Sequence, residues 1–289
     1  MFDYFLHRKS KEIKLSMVMM VKNEEDIIKR HIEFHAKMGV DNFFILENNS
    51  DDNTYEILKD LQNSYDIFLE RNSSKRFEQK RWMTQLVKRA KKIYNPDWVI
   101  NSDVDEFWIP KNGLSLKESL NFKGGILLVP RVNMLFYEGV ESWEDSEYMV
   151  SNSVNYQRDL ENENIMLGKI GRKVIVNPHG YIKTNSGNHS AEHIAFWQKR
   201  EIDTILIRHY LLRGYQQFEK KVKIYVEVLA ENPKAKIGKH IKKWVKSYRE
   251  NRLEEEWNRV VIKSRNLACL EDLNIIQKDT QPKELFNKL

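Results

Sequence analysis

The stretch Asp97-Trp98-Val99-Ile100-Asn101-Ser102-Asp103-Val104-Asp105-Glu106-Phe107-Trp108-Ile109 passes from an apolar segment into two carboxylates one residue apart, then back into apolar sequence. Asp97 to Asn101 reads as a strand buried on both faces. Residues i and i+2 of an extended segment project to the same side. Asp103 and Asp105 are therefore expected side by side at the strand's end. Two carboxylates fixed there suit a hard divalent cation, Mg²⁺ or Mn²⁺, that keeps positions open for phosphate oxygens.

Upstream, strand and helix patterns alternate. Leu15 to Val21 reads as a strand. Asn23 is expected to cap a helix that opens with Glu24, Glu25 and Asp26, buries Ile27, Ile28, Ile32, Phe34 and Met38, and stops at Gly39. Asn42 to Glu47 is a second strand, Asn48 to Asn53 a polar loop and Thr54 to Leu61 a second helix. Asp66 to Leu69 and Phe77 to Ile93 repeat the pattern. The rhythm predicts an α/β fold with a mostly parallel sheet flanked by helices. Such sheets bind ligands beyond the carboxyl ends of their strands, where the polar clusters 22–26, 47–53 and 101–106 fall. After Pro110 the pattern is irregular, with strands read only at Gly125 to Pro130 and Lys173 to Val176. From about Gly214 it becomes helical.

The 289 residues carry 48 basic and 42 acidic side chains, a net charge of +6, and are 41% hydrophobic, enough for a real core. One cysteine, Cys269, excludes an internal disulfide and a cysteine zinc cluster. No stretch has the length and flanks of a secretory signal or a membrane span. A cytoplasmic protein is expected. Gly39 is the one glycine before Gly113, so neither a G-x-G-x-x-G dinucleotide loop nor a P-loop is present. The positive charge is local: residues 211–250 hold 11 basic and 4 acidic side chains.

Asp103-Val104-Asp105-Glu106-Phe107 resembles the D-x-D-E-F signature of GT-A-fold glycosyltransferases, in particular family 2 relatives that overlap family 92. Met20 to Asp26 is similar to their K-N-E segment, His35 to Phe44 to their H-x-x-x-G-V-x-x-F element, and Glu47 to Thr54 to their D-N-x-S-x-D-x-T loop. Arg208-His209-Tyr210 with Phe218 to Lys221 is similar to their H-Y segment and basic helix. The resemblance implies metal-dependent sugar transfer from a nucleotide-sugar donor, UDP-linked, to a glycan or lipid-linked acceptor, with inversion. It implies a catalytic domain over 1–212, with a donor half near 13–110 and an acceptor half over 111–212, and a basic helical extension over 213–289.

Residue by residue, it places Glu47 and the Asn48 to Asp52 loop on the nucleoside, Asp103 on ribose or metal, Asp105 on the metal, and His209 as the third ligand with His189 in reserve. Glu47 stands where the family usually has Asp. Lys22, Lys75, Arg76 and Lys80 are cations placed to face the diphosphate. Glu138, Asp145 and Glu192 are candidate bases for the acceptor hydroxyl. Trp108, Trp143 and Phe136 are candidates for stacking on sugar. His31 and His35 have zinc-compatible spacing but lack the H-E-x-x-H glutamate.

The basic helical stretch, including Lys236, Lys239, Lys242, Lys243, Lys246 and Arg249, suits peripheral contact with the anionic inner leaflet of the cytoplasmic membrane, or packing on the domain or on a second subunit of an oligomer. The Lys, Asn and Ile richness fits bacterial capsule or lipopolysaccharide assembly. A nucleotidyltransferase would want a glycine-rich basic loop after the first strand. A nucleic-acid-binding protein would want a recognisable motif, and no nucleic acid partner is expected.

Overall fold

The computed structural model describes residues 12–72, 78–154, 164–235 and 237–289. β1 (Leu15–Val21), α1 (Ile28–Lys37), β2 (Asn42–Glu47), α2 (Thr54–Leu61), β3 (Ile67–Arg71), α3 (Gln79–Ile93) and β4 (Trp98–Asn101) alternate as the hydrophobic pattern predicts. The middle of the chain is a succession of short strands: β5 (Glu106–Pro110), β6 (Ile126–Val129), β7 (Arg131–Asn133), β8 (Tyr148–Val150), β9 (Lys173–Val176), β10 (Tyr181–Thr184), β11 (Ala191–His193), β12 (Lys199–Glu201) and β13 (Ile205–His209). Then follow α4 (Tyr215–Glu231), α5 (Lys239–Arg249), α6 (Leu253–Val260), α7 (Leu267–Asp272), β14 (Ile276–Lys278) and α8 (Gln281–Phe286).

The central sheet has seven strands in the order β12-β6-β9-β4-β1-β2-β3. β9 runs against its neighbours β4 and β6, while β1 pairs in parallel with β2 and β4, β2 with β3, and β12 with β6. Successive residues of β1 serve opposite faces. Leu15, Met17, Met19 and Val21 join the cluster that buries Ile28, Ile32 and Phe34 of α1. Val18 joins Trp82, Met83, Leu86, Val87 and Ala90 of α3 on the other face. The sheet is thus covered on both sides.

β13 lies between β5 and β7 in a second sheet, antiparallel to β5 and parallel to β7. The segment Ser102–Asp105 is the passage from the first sheet to the second.

Three expectations change. α1 begins at Ile28, and Asn23 does not cap it: Asn23 adopts a left-handed φ of 55° and its Oδ1 accepts the Asp51 N–H at 2.8 Å. The loop after β1 is stitched to the loop after β2, since Glu24 N–H donates to Thr54 Oγ1 at 2.8 Å and Glu25 N–H to Asp52 Oδ2 at 3.2 Å. Gly39 does stop the helix, at a φ of +103° that side-chain-bearing residues avoid.

The Asp103–Asp105 segment is a turn, closed by Glu106 N–H donating to Asp103 O at 3.2 Å, rather than an extended run. Finally, the chain after 213 is woven into the core. β14 pairs with β8, and Asp279 accepts from Arg208 Nε at 3.0 Å. Phe286 of α8 packs edge-on against Phe34, Phe107 and Trp143 at centroid distances of 5.5, 4.9 and 5.5 Å, and its carbonyl accepts from Arg30.

Candidate active site

A cleft of about 660 Å³ opens where the loops after β1, β2 and β4 meet the end of β13 and one face of α4. Of the residues singled out in the sequence, Lys22, Asn48, Asp103, Asp105, His189 and His209 line it. The register explains the arrival of His209: it lies opposite Glu106 on β5 and Asn133 on β7, which puts its ring beside the 103–106 turn.

Asp105 is buried and stands beside two cations and a histidine. Lys221 Nζ is 3.0 Å from its Oδ2, Arg213 Nη1 is 3.9 Å from the same oxygen, and His209 Nε2 is 3.6 Å from Oδ1. Burial pushes the Asp105 carboxyl up, but the Lys221 and Arg213 charges beside it outweigh burial and hold it well below the usual carboxylate range. Burial pulls Lys221 down, yet Asp105 and Glu24 lift it above its ordinary value, so it stays charged.

His209 Nδ1 lies 2.8 Å from Asn133 Oδ1. The Asn133 amide is oriented by its own donation to Met166 O at 2.9 Å, so Nδ1 carries the proton and donates. Burial lowers the His209 pKa, which keeps the ring neutral and leaves an Nε2 lone pair facing Asp105. A separation of 3.6 Å is beyond hydrogen-bonding distance. An ionised carboxylate and an imidazole lone pair so disposed suit a divalent cation. Glu106 Oε brings a third donor within 4.8 Å of these two. That carboxylate is already matched by Arg131 Nη1 at 2.5 Å and Lys173 Nζ at 3.0 Å.

Asp103 falls outside that trio. Its carboxylate accepts from Lys173 Nζ and, at 3.0 Å, from Asn188 Nδ2, while its side chain stays 37% exposed to the cleft.

Other expected positions lie elsewhere. Glu47 is buried beneath the β2 loop, accepting from Ser50 N–H and facing Arg71 Nε at 3.0 Å; Asn48, Asn49 and Asp51 line the cleft instead. Asp52 is spent on the Thr54 and Glu25 N–H groups. Lys80 is exposed on α3 and does not line the cleft, whereas its neighbour Gln79 does. Lys75, Arg76, Lys236 and the expected helix start at Phe77 lie outside the described residues.

The three candidate bases miss the cleft. Glu138 pairs with Lys263 at 3.6 Å, Asp145 with Lys283 at 3.3 Å and Glu192 with Lys183 at 2.8 Å, all near the surface. The irregular region that holds them spreads over several short strands instead of forming one wall. Trp108, Trp143 and Phe136 are core residues. His31 and His35 are buried too: His35 Nδ1–H donates to His31 O at 2.8 Å and Nε2 accepts the Trp108 N–H at 3.1 Å, which leaves His35 no lone pair for zinc.

Sequence reading missed Glu24. Instead of opening a helix, the turn directs it into the cleft beside Arg213, whose Nε also bonds Asp26 at 2.7 Å. Burial pushes the Glu24 carboxyl up to about 7 against the pull of Arg213 and Lys221.

The chain belongs to glycosyltransferase family 92: residues 11–255 match that family's profile. The α/β class expected from the sequence, a mostly parallel sheet flanked by helices, is the class observed. Similar solved structures include S. aureus TarS, at 14% identity and TM-score 0.46, covering 83% of this chain but 43% of that one. This chain thus spans less than half the length of that protein. TarS 1–349 in complex with UDP-GlcNAc shows 14% identity over 86% of this chain and 72% of that one, with TM-score 0.45. Glucosyl-3-phosphoglycerate synthase from Mycobacterium tuberculosis, in complex with Mn²⁺, UDP and phosphoglyceric acid, shows 15% identity over 75% and 78%, with TM-score 0.36. No curated protein sequence matches the chain. No helix among the described residues is long and apolar enough to cross a membrane.

Proposed function

We propose that the cleft binds a nucleotide-sugar donor and transfers its sugar to an acceptor hydroxyl, with Mn²⁺ or Mg²⁺ held by Asp105 and His209. The observation that carries the reading is the meeting of those two donors with Asp103 and the Asn48-Asn49-Asp51 loop in one cleft at the strand ends. Asn48, Asn49 and Asp51 offer hydrogen-bonding groups to a nucleoside. Asp103, clamped by Lys173 and Asn188, presents a fixed oxygen edge. A bound divalent cation would supply charge stabilisation to the departing diphosphate.

Lys221 and Arg213 add two cations beside the same carboxylate. Glu24, poised near neutrality, is the carboxyl best matched to accept a proton from an acceptor hydroxyl at physiological pH. We extend the reading to a UDP-linked donor, inversion, and a bacterial surface glycan or lipid-linked acceptor, as the resemblance and composition imply.

Thermal denaturation with UDP and Mn²⁺, separately and together, tests it. The pair should stabilise the chain more than either component, and Asp105→Asn should remove the gain. Equal stabilisation of Asp105→Asn by the pair would overturn the assignment.

A further inference from the structure

α5 and α6 enclose a second cavity, of about 730 Å³, that adjoins the cleft: Ile165 and His240 line both. The two differ in sign. Acids crowd the cleft, whereas the second cavity is walled by Lys239, Lys242, Lys243, Lys246, Arg252 and Arg259 against a single acid, Glu256.

That acid is already shared. Buried Glu256 Oε2 accepts from Arg259 Nη2 at 2.8 Å and Nε at 3.1 Å, and Oε1 faces Lys243 Nζ at 3.3 Å. One carboxylate thus props two cations at the wall, and Glu250, just outside it, pairs with Arg252 and, at 4.0 Å, with Lys246. The Lys239 and Lys242 side chains form no ion pair among the described residues. α5 sets this geometry. Its apolar residues Ile241, Trp244 and Val245 are turned into the core, which forces Lys239, Lys242 and Lys246 onto the opposite, concave side. A flat basic face, as the helical pattern suggests, would be solvated or spread over a membrane. A concave one concentrates positive potential on a small volume and repels itself unless an anion enters.

We propose that this cavity binds the phosphate of a phosphate-bearing acceptor, whose hydroxyl then reaches the cleft past Ile165 and His240. Its acceptor role rests on the donor reading above. A phosphate monoester brings up to two charges and a phosphodiester one, each with acceptor oxygens able to engage several Lys and Arg donors at once. Such an acceptor is either a soluble phosphate ester or polymer, or a lipid with a phosphate headgroup.

The test uses the full chain with UDP and Mn²⁺ present in excess, so that the cleft is filled. One arm titrates sn-glycerol 3-phosphate by calorimetry. The other measures co-sedimentation with vesicles of equal parts phosphatidylglycerol and phosphatidylcholine. The variant is Lys239→Glu with Lys242→Glu, both exposed. Lys91→Glu with Lys92→Glu, on the exposed end of α3, is a control of equal charge change.

At least one probe should bind, and the α5 variant should weaken it at least tenfold while the α3 control stays within twofold. The arm that responds names the source. Binding of neither probe, or equal weakening by both variants, overturns the proposal. UDP–Mn²⁺ affinity, read separately in each variant, keeps the two readings apart. If UDP binds and no phosphate does, only the cavity proposal falls. If phosphate binding depends on α5 and UDP does not bind, the donor reading falls and the phosphate site stands.

Discussion

Replacing Lys173 by methionine isolates the contact that fixes the 103–106 turn. The Lys173 side chain is 1% exposed, and its Nζ meets Asp103, Glu106 at 3.0 Å and Gly187 O at 2.8 Å. Methionine retains most of the stem and deletes the charge. Asp103 is over a third exposed, so solvent screens its loss and it contributes little. The cost falls on Glu106, which is 0% exposed and would keep Arg131 as its one cation, with the Asp103 N–H still donating to its Oε2 at 3.2 Å.

Removing one partner of a buried pair costs about 3–5 kcal/mol. The surviving arginine places this case at the low end, about 3 kcal/mol. For a chain of this size each kcal/mol lowers Tm by about 2–4 °C, so the expected fall is about 6–12 °C. Guanidinium unfolding of Lys173→Met, Glu106→Gln and the double variant gives the coupling directly, expected at about 1 kcal/mol or more. A Lys173→Met variant within about 0.5 kcal/mol of the parent, or strict additivity in the cycle, would refute the argument that this lysine holds the turn.

Asp105→Asn should also lower stability without any ligand, because Lys221 loses its nearest carboxylate; thermal unfolding in metal-free buffer measures this. Glu24 makes stability depend on pH. Its folded value, raised from 4.5 to about 7, means the folded chain holds a proton that the unfolded chain gives up between those values. Stability should therefore fall as pH rises through that window, by up to about 1.4 kcal/mol per unit, and Glu24→Gln should flatten the slope in unfolding curves. Glu138→Gln, Asp145→Asn and Glu192→Gln should each leave donor turnover within about twofold of the parent, since surface substitutions rarely matter more; a hundredfold loss in any of them would return that residue to the site.

Residues 13–110 were legible because their signals are local. Alternating apolar runs define β1 to β4, and Asp103 and Asp105 stand out against apolar flanks. His209 was reachable through its H-Y segment, although nothing in its spacing shows that β13 inserts between β5 and β7 and carries the ring to Asp105. The charge network was not legible. Arg213 meets Glu24 and Asp26 across 189 and 187 positions, and Lys173 meets Asp103 across 70, so no local pattern records them. Glu24 was misread because an acid after an asparagine looks like a first helical turn, whereas bonds to the β2 loop hold that segment out of the helix. That Glu138, Asp145 and Glu192 lie away from the cleft was hidden for a related reason: three-residue strands such as β7 and β8 carry too few residues to show a period.

The brace that Phe286 and its carbonyl supply to Phe34 and Arg30 reaches across 256 positions. A ribosome delivers α1 and the first four strands long before that brace exists. During the interval the aromatic face around Phe34 and Phe107 lies open, and early domains with uncovered apolar surface are aggregation-prone. Fragments that keep every residue of the cleft but lack α8 should therefore expose this face and aggregate more readily than the whole chain.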